Sequence, residues 1–120
     1  MNYELSQRFH FDAAHTLKRE IEAEGSRCIH GHTYHATVFV RGMPDPASGM
    51  VIDLGHVRAQ IEILRERLDH HFLDEVPGLG PATLENLCAF IYRAISATVP
   101  NVSRVRVERG SVGDSCELSI

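Results

Sequence analysis

Two amphipathic helical patterns follow one another in the middle of this chain, with strand-like segments on both sides of them. Residues 54–68 and 84–99 carry apolar side chains at spacings of three and four, which is the period of a helix with one buried face. The first set is Leu54, Val57, Ile61, Leu64 and Leu68, and the second is Leu84, Leu87, Cys88, Ile91, Ile95 and Val99. Asp53 and Thr83 precede these patterns and are predicted N-caps. Helices grouped between strands indicate an α+β fold, in which an antiparallel sheet carries both helices on one face.

The strand predictions rest on alternation of apolar and polar residues. The segments are 3–11, 33–41, 103–109 and 115–120, with a short return strand at 50–52. Residues 33–53 are therefore predicted to form a hairpin around the turn-rich GMPDPASG. Residues 16–27 are highly charged and read as a long connection or a short exposed helix.

The alternation also predicts which side chains each face of the sheet presents. Val105 and Val107 are expected to face the helices, and Arg104, Arg106 and Glu108 to point the opposite way. One face of the sheet is then uncovered in a single chain. An open face and two edge strands favour assembly into a homo-oligomer.

Composition limits the class of protein. The chain has 120 residues, 43% hydrophobic and 23% charged, as expected for a single globular domain spanning 1–120. A formal charge of −4 argues against a nucleic-acid binder. No apolar run reaches the roughly 20 residues that span a bilayer, and the N-terminus lacks a signal-peptide pattern, so a cytoplasmic protein is expected. The three cysteines are odd in number and widely spaced, and are predicted to be thiols.

The stretch CIHGHTYH, residues 28–35, suggests a metal site. In an extended segment, residues i and i+2 point to the same side, so His30 and His32 present two imidazoles together. His15, just after the first predicted strand, is the best placed third ligand. Three neutral imidazoles leave one open position on a tetrahedral zinc, which is the catalytic pattern, although iron, nickel or copper also fit such a set. The alternative is that these are surface or hydrogen-bonded histidines.

A second candidate is the pair Asp69 and His70, which follows the first helix. An aspartate beside a histidine can orient the ring and stabilise its cation, which makes a proton relay. The alternative is a polar helix terminus, where histidines meet the negative end of the helix dipole.

Six motifs, taken together, resemble one known family. In order along the chain they are FDAAH, HGHTY, MVIDL, LDHHFLD, PATLENL and VRVERG. The chain is similar over essentially its whole length to the 6-pyruvoyl-tetrahydropterin synthase family, in particular its bacterial 6-carboxytetrahydropterin synthases of queuosine biosynthesis. The resemblance implies a tunnelling fold of four main antiparallel strands with two helices on one side. It also implies that three subunits close a twelve-stranded barrel, that two trimers stack into a hexamer, and that active sites lie between subunits.

The resemblance also implies roles for individual residues. The zinc ligands of the family match His15, His30 and His32, and its Asp-His relay matches Asp69 and His70 rather than His71. Its pterin-anchoring glutamate falls on Glu108, whose alternative role is that of a solvent-facing strand residue paired with Arg104 or Arg106. Thr83 matches a residue that lines the pterin pocket, although helix capping alone explains its presence.

The sequence departs from the family pattern at the catalytic cysteine. The cysteine of the family stands four residues before the first histidine of HGH, where this chain has Ser26, and Cys28 stands only two before it. On an extended segment Cys28 would share the parity of His30 and point at the metal, where its thiol would ionise more easily. A flexible Gly25-Ser26 pair would let it reach. Cys28 is therefore the predicted base, with His70 as the substitute; a passive small residue or a ligand is the alternative for Cys28.

The expected function is that of a zinc-dependent lyase. It would convert 7,8-dihydroneopterin triphosphate to 6-carboxy-5,6,7,8-tetrahydropterin, with release of triphosphate and acetaldehyde. Pyruvoyl-tetrahydropterin formation, another cleavage of the pterin side chain, and a non-catalytic metal- or pterin-binding module are the alternatives. Lys18 and the arginines are candidates for the triphosphate. Neither nucleic acid nor membrane is an expected partner.

Overall fold

The computed structural model describes residues 2–120, which form one four-stranded antiparallel sheet and three α-helices. The elements in chain order are β1 (Tyr3–His15), α1 (Ala23–Arg27), β2 (His30–Gly42), α2 (Leu54–Arg65), a 3-10 turn (Leu73–Glu75), α3 (Leu84–Ser96), β3 (Val102–Arg109) and β4 (Asp114–Ser119). The strands lie in the order β1-β2-β3-β4. The predicted α+β class, with four antiparallel strands and two main helices, is confirmed.

The two predicted N-caps are present. The Asp53 side chain accepts a hydrogen bond from the backbone of Gly55, and that of Thr83 accepts one from Asn86. Both helices are shorter than predicted, because α2 ends at Arg65 and α3 at Ser96. The apolar pattern continues beyond those points, since the turns that follow still bury Leu68 and Val99.

The core lies between the helices and one face of the sheet. Helix α2 lies against β1, and α3 lies against β3 and β4. The buried row of β2 consists of Tyr34, Ala36, Val38 and Val40. Val105 and Val107 are fully buried, as predicted. Burying side chains of this size contributes about 1.5–3 kcal/mol each, so this layer holds the sheet and helices together.

The opposite face of the sheet is charged. Arg104 forms ion pairs with Glu4 and Glu117, and its guanidinium lies 3.9 Å from the centre of the Phe39 ring. Arg106 also reaches Glu117. The prediction that Arg104 and Arg106 lie on the face opposite to Val105 and Val107 is therefore confirmed. Within residues 2–120, no other layer covers this charged face.

The predicted hairpin of residues 33–53 is wrong. Residues 50–52 form no strand, and β2 lies between β1 and β3 instead. Both edges of β2 are already paired, with β1 and β3, and the turn forms its own bonds: the Asp45 carboxylate accepts hydrogen bonds from the backbone of Ala47 and Ser48, and the Asp45 N–H donates to the carbonyl of Met50. These bonds close the turn on itself, so the segment after it does not pair with β2.

Strands β1 and β2 extend further than the sequence pattern predicted. β1 runs to His15 and β2 begins at His30, and these two residues are paired across the ladder. The added residues carry little apolar alternation, so the pairing itself extends the strands. This extension brings the histidines of the two strands together at one end of the sheet.

Candidate active site

Three imidazoles meet at the paired ends of β1 and β2. His15 is opposite His30 in the ladder, and His32 lies on the same face two residues further along β2. The ring centres are 4.6 Å apart for His15 and His30, 4.9 Å for His15 and His32, and 5.0 Å for His30 and His32. One ring nitrogen from each residue lies within 4.8 Å of the others. The predicted metal-ligating residues are therefore brought together.

Hydrogen bonds set the tautomers of two of these rings. His15 Nδ1 is 2.9 Å from the carbonyl oxygen of Ala82, and His30 Nδ1 is 2.7 Å from that of Cys28. A carbonyl only accepts, so each Nδ1 carries the proton and each Nε2 keeps its lone pair. This arrangement, in which the second ring nitrogen donates to a fixed acceptor, is typical of metal-ligating histidines.

Burial leaves two ring nitrogens without partners. The Nε2 atoms of His15 and His32 are buried and have no hydrogen-bond partner among the described residues. A buried polar atom without a partner is costly, so these atoms fit a bound cation better than a packed protein interior. The hydrogen bonds of His15 and His30 alone do not account for the cluster, because the Nε2 atoms of His15 and His32 take part in none.

Burial disfavours the charged form of two of these imidazoles, His15 and His32. Burial lowers the pKa of His32 to about 4, with further lowering from His15 and from the guanidinium of Arg109. Burial likewise lowers the pKa of His15. Both rings are therefore unprotonated at neutral pH, as metal ligands must be. Within residues 2–120 these three histidines form the one such group of potential ligands, and three nitrogen donors fit zinc with an open fourth position.

Asp69 and His70 lie in the loop after α2. The Asp69 carboxylate accepts a hydrogen bond of 2.9 Å from the backbone of Asp12 and lies 3.2 Å from a guanidinium nitrogen of Arg65. The backbone bond, helped by Arg65, lowers the pKa of Asp69, so this carboxylate is ionised at neutral pH. His70 Nε2 is 3.4 Å from Asp69 Oδ2. His71 instead bonds through Nδ1 to the Asp69 backbone carbonyl, so it is His70 that contacts the carboxylate.

His70 lines a cleft together with one member of the histidine cluster, His32. His70 and His32 both line a cavity of about 770 Å³, and the side chain of His70 is 79% exposed. His70 has a backbone φ of +59°, and its N–H donates to the carbonyl of Asp12. The bond to β1 fixes the backbone position of His70 at the edge of this cleft.

Cys28 is not brought to the cluster. Its side chain is exposed, and it ends α1 with its N–H bonded to Gly25. Because β2 begins only at His30, the strand parity expected for residue 28 does not apply. The expectation that a flexible Gly25-Ser26 pair carries Cys28 to the metal is therefore wrong for this structure: these residues are in α1. Ser26 is buried and lines a cavity of about 350 Å³ with His30 and His32.

Glu108 and Thr83 lie apart from one another. Glu108 is on the charged face of the sheet, opposite His35 in the ladder. Thr83 caps α3 on the other side and lines a cavity of about 690 Å³ beside residues 16–19. Within a single chain, neither side chain lines the two cavities that the clustered histidines line.

The sequence reasoning missed Arg109. This residue ends β3, and its guanidinium lines the same cavity as His30 and His32. The sequence did contain a signal for it. Residue 109 alternates in step with Val105 and Val107, so this charged side chain falls on the same face of the strand as the two valines.

None of the helices found within residues 2–120 has both the length and the apolar character of a membrane-crossing segment.

Comparison with known proteins agrees with the fold. A family model described as 6-pyruvoyl tetrahydropterin synthase matches residues 4–119. A Synechocystis 6-carboxy-5,6,7,8-tetrahydropterin synthase is 32% identical over 110 residues, covering 86% of this chain and 83% of that protein. Human 6-pyruvoyl tetrahydrobiopterin synthase is 31% identical over 111 residues, covering 81% and 77%. The solved structure of Caenorhabditis elegans 6-pyruvoyl tetrahydropterin synthase superimposes with a TM-score of 0.87 at 23% identity, covering 100% of this chain and 96% of that one. The chain belongs to the 6-pyruvoyl tetrahydropterin synthase family.

Proposed function

We propose that this protein is a zinc-dependent 6-carboxy-5,6,7,8-tetrahydropterin synthase acting on 7,8-dihydroneopterin triphosphate. The observation that carries the proposal is the group of three imidazoles, of which two have buried, unpartnered Nε2 atoms. The name of the Synechocystis relative supports this product, since the two sequences align over most of both chains. The overall change would consume water and yield 6-carboxytetrahydropterin, acetaldehyde and triphosphate.

The proposed chemistry divides between the metal and the loop after α2. His15, His30 and His32 would hold the zinc, which supplies Lewis acidity toward the side-chain oxygens of the substrate. His70 would accept the proton removed from a carbon of that side chain, because it faces the same cleft as His32. The ionised Asp69 would orient the His70 ring and stabilise its cation.

The pterin ring would be held by Glu108. A carboxylate can accept two hydrogen bonds from an amidine-like edge such as the 2-amino group and N3 of a pterin. Glu108 and Thr83 are separated in one chain, which supports a site completed by a neighbouring subunit. Thr83 would line that pocket in addition to capping α3.

The test is a turnover assay. Zinc-loaded protein with 7,8-dihydroneopterin triphosphate is expected to release acetaldehyde, detected by a coupled alcohol dehydrogenase, and to form 6-carboxytetrahydropterin, detected by mass spectrometry. Protein stripped of metal is the control and should be inactive. Absence of both products from zinc-loaded protein would contradict the proposal.

Two other functions have support from particular observations. Pyruvoyl-tetrahydropterin synthesis is favoured by the human relative at nearly the same identity, and it would give a pyruvoyl product without acetaldehyde. A non-catalytic pterin-binding module is favoured by the position of Cys28 away from the cluster, and it would bind pterin without turnover. The same assay separates all three.

The open face and edge strands predict an assembly. β1 and β4 are the edges of the sheet, and its charged face is uncovered in one chain. Closing such sheets edge to edge into a barrel removes the free edges. The hexamer that the family resemblance implies would give six chains of 13.4 kDa in light scattering, about 80 kDa in total. A monodisperse monomer at micromolar concentration would rule out an active site shared between subunits.

A further inference from the structure

Arg109 lies on the helix-facing side of the sheet, close to the histidine cluster. It is paired with Tyr34 in the ladder, and paired residues point to the same face. His32 is two residues before Tyr34 on β2, so it is the diagonal neighbour of Arg109 at a typical distance of about 7–8 Å. The Arg109 side chain is only 11% exposed. A largely buried cation therefore lies beside the proposed metal site.

The hydrogen-bonding capacity of this cation is only partly used. A terminal guanidinium nitrogen of Arg109 is 3.2 Å from Asp114 Oδ2, and the Asp114 side chain is 48% exposed. Arg109 Nε is buried and has no hydrogen-bond partner among the described residues. Arg109 lines the cavity of about 350 Å³ that His30 and His32 also line. A largely buried cation, whose ion pairing is limited to one half-exposed carboxylate, therefore lies at that cavity.

Charge balance indicates what the cavity binds. A divalent cation on the three imidazoles and the guanidinium of Arg109 would repel one another at short range in a partly dehydrated site. Asp114 is the one carboxylate in ion-pair contact with Arg109 among the described residues, and it is half exposed. Arg19 and Glu22 also line the cavity, but they pair with each other and leave the balance unchanged. An anionic ligand in the cavity would interact favourably with both positive groups.

We propose that Arg109 recognises a carboxylate on the ligand that enters this cavity beside the three histidines. The inference rests on the proposed function and deepens it, because a 6-carboxypterin carries a carboxylate where a pyruvoyl pterin is uncharged. Arginine suits this role better than lysine, since its planar group offers parallel N–H donors to the two carboxylate oxygens. Arg109 would then be a specificity residue for a carboxylated pterin.

The experiment uses two ligands of the same shape and different charge. Protein loaded with cobalt(II) is titrated at pH 7 with acetate or with acetamide, and binding is followed by the visible absorption of the cobalt. We expect wild-type protein to prefer acetate, and Arg109→Met to weaken acetate binding about 10-fold or more while leaving acetamide unchanged. The cobalt spectrum without added ligand shows whether each variant still holds the metal in the same geometry.

Two further variants separate ligand binding from a structural role. Asp114→Asn removes the carboxylate on β4 that forms an ion pair with Arg109 on β3. The guanidinium is kept, so acetate binding should persist. Arg109→Lys keeps the charge and should recover part of the preference for acetate. Equal weakening in Arg109→Met and Asp114→Asn, or unchanged acetate binding in Arg109→Met, would overturn the inference. Because no pterin is used, these outcomes do not depend on whether the proposed reaction occurs.

Discussion

Replacing His32 with alanine is expected to remove bound zinc, from about one ion per chain to almost none. The three imidazoles supply every protein ligand that the described residues offer at this point, so losing one leaves only two. Losing even an outer-shell partner of a metal typically costs about 10–100-fold in affinity or activity, so losing a direct ligand should reduce turnover by more than about 100-fold. The protein should still fold, because His32 Nε2 is buried without a partner and its removal leaves no donor or acceptor unsatisfied. Metal analysis by mass spectrometry, with circular dichroism for folding, measures the result.

His56→Ala is the matched control for this variant. His56 is on α2, and its ring nitrogen bonds to the carbonyl of Thr98, away from the cluster. This variant should retain both zinc and turnover. Zinc retained at one per chain in a variant with alanine at positions 15, 30 and 32 would contradict the metal site altogether.

Much of the fold was predictable because its local signals agree with its packing. The helical stripes are the surfaces that α2 and α3 bury, and the caps at Asp53 and Thr83 mark where those helices begin. The valine alternation in β3 correctly assigned its two faces. The shared face of His30 and His32 was predictable too, because side chains at i and i+2 of a strand point to the same side.

The errors arise where long-range pairing decides the structure. The segment 43–53 has the turn residues of a hairpin, but β2 is already paired on both edges, and the turn closes on itself through Asp45. The placement of Cys28 failed because α1 lies immediately before it and β2 starts two residues after it. Position along the chain suggested His15, but only the β1–β2 register sets it opposite His30. Sequence alone supplies none of these facts.

The identity of the base gives the second large predicted effect. Replacing His70 with asparagine is expected to lower turnover by about 10²–10⁴-fold, the usual contribution of a general base, and to leave zinc content unchanged. Asparagine is the suitable substitution because His70 has a φ of +59°, a region that asparagine tolerates better than most residues. The backbone bond to Asp12 is then kept, and only the imidazole is lost. Steady-state rates with saturating zinc and 7,8-dihydroneopterin triphosphate measure the effect.

Cys28→Ala is the comparison that decides between the two candidate bases. The exposed Cys28 thiol lies outside the histidine group, so this variant should keep nearly wild-type turnover. Ser26 does line the cavity with His30 and His32, so Ser26→Cys would place a thiol where the family pattern has one, and it is expected to raise turnover. A fall of about 100-fold in Cys28→Ala with zinc intact, together with near-normal His70→Asn, would assign the base to Cys28. The end of helix α1 would then have to rearrange in the catalytic form, because the Cys28 side chain is exposed and outside the histidine group while its N–H bonds to Gly25.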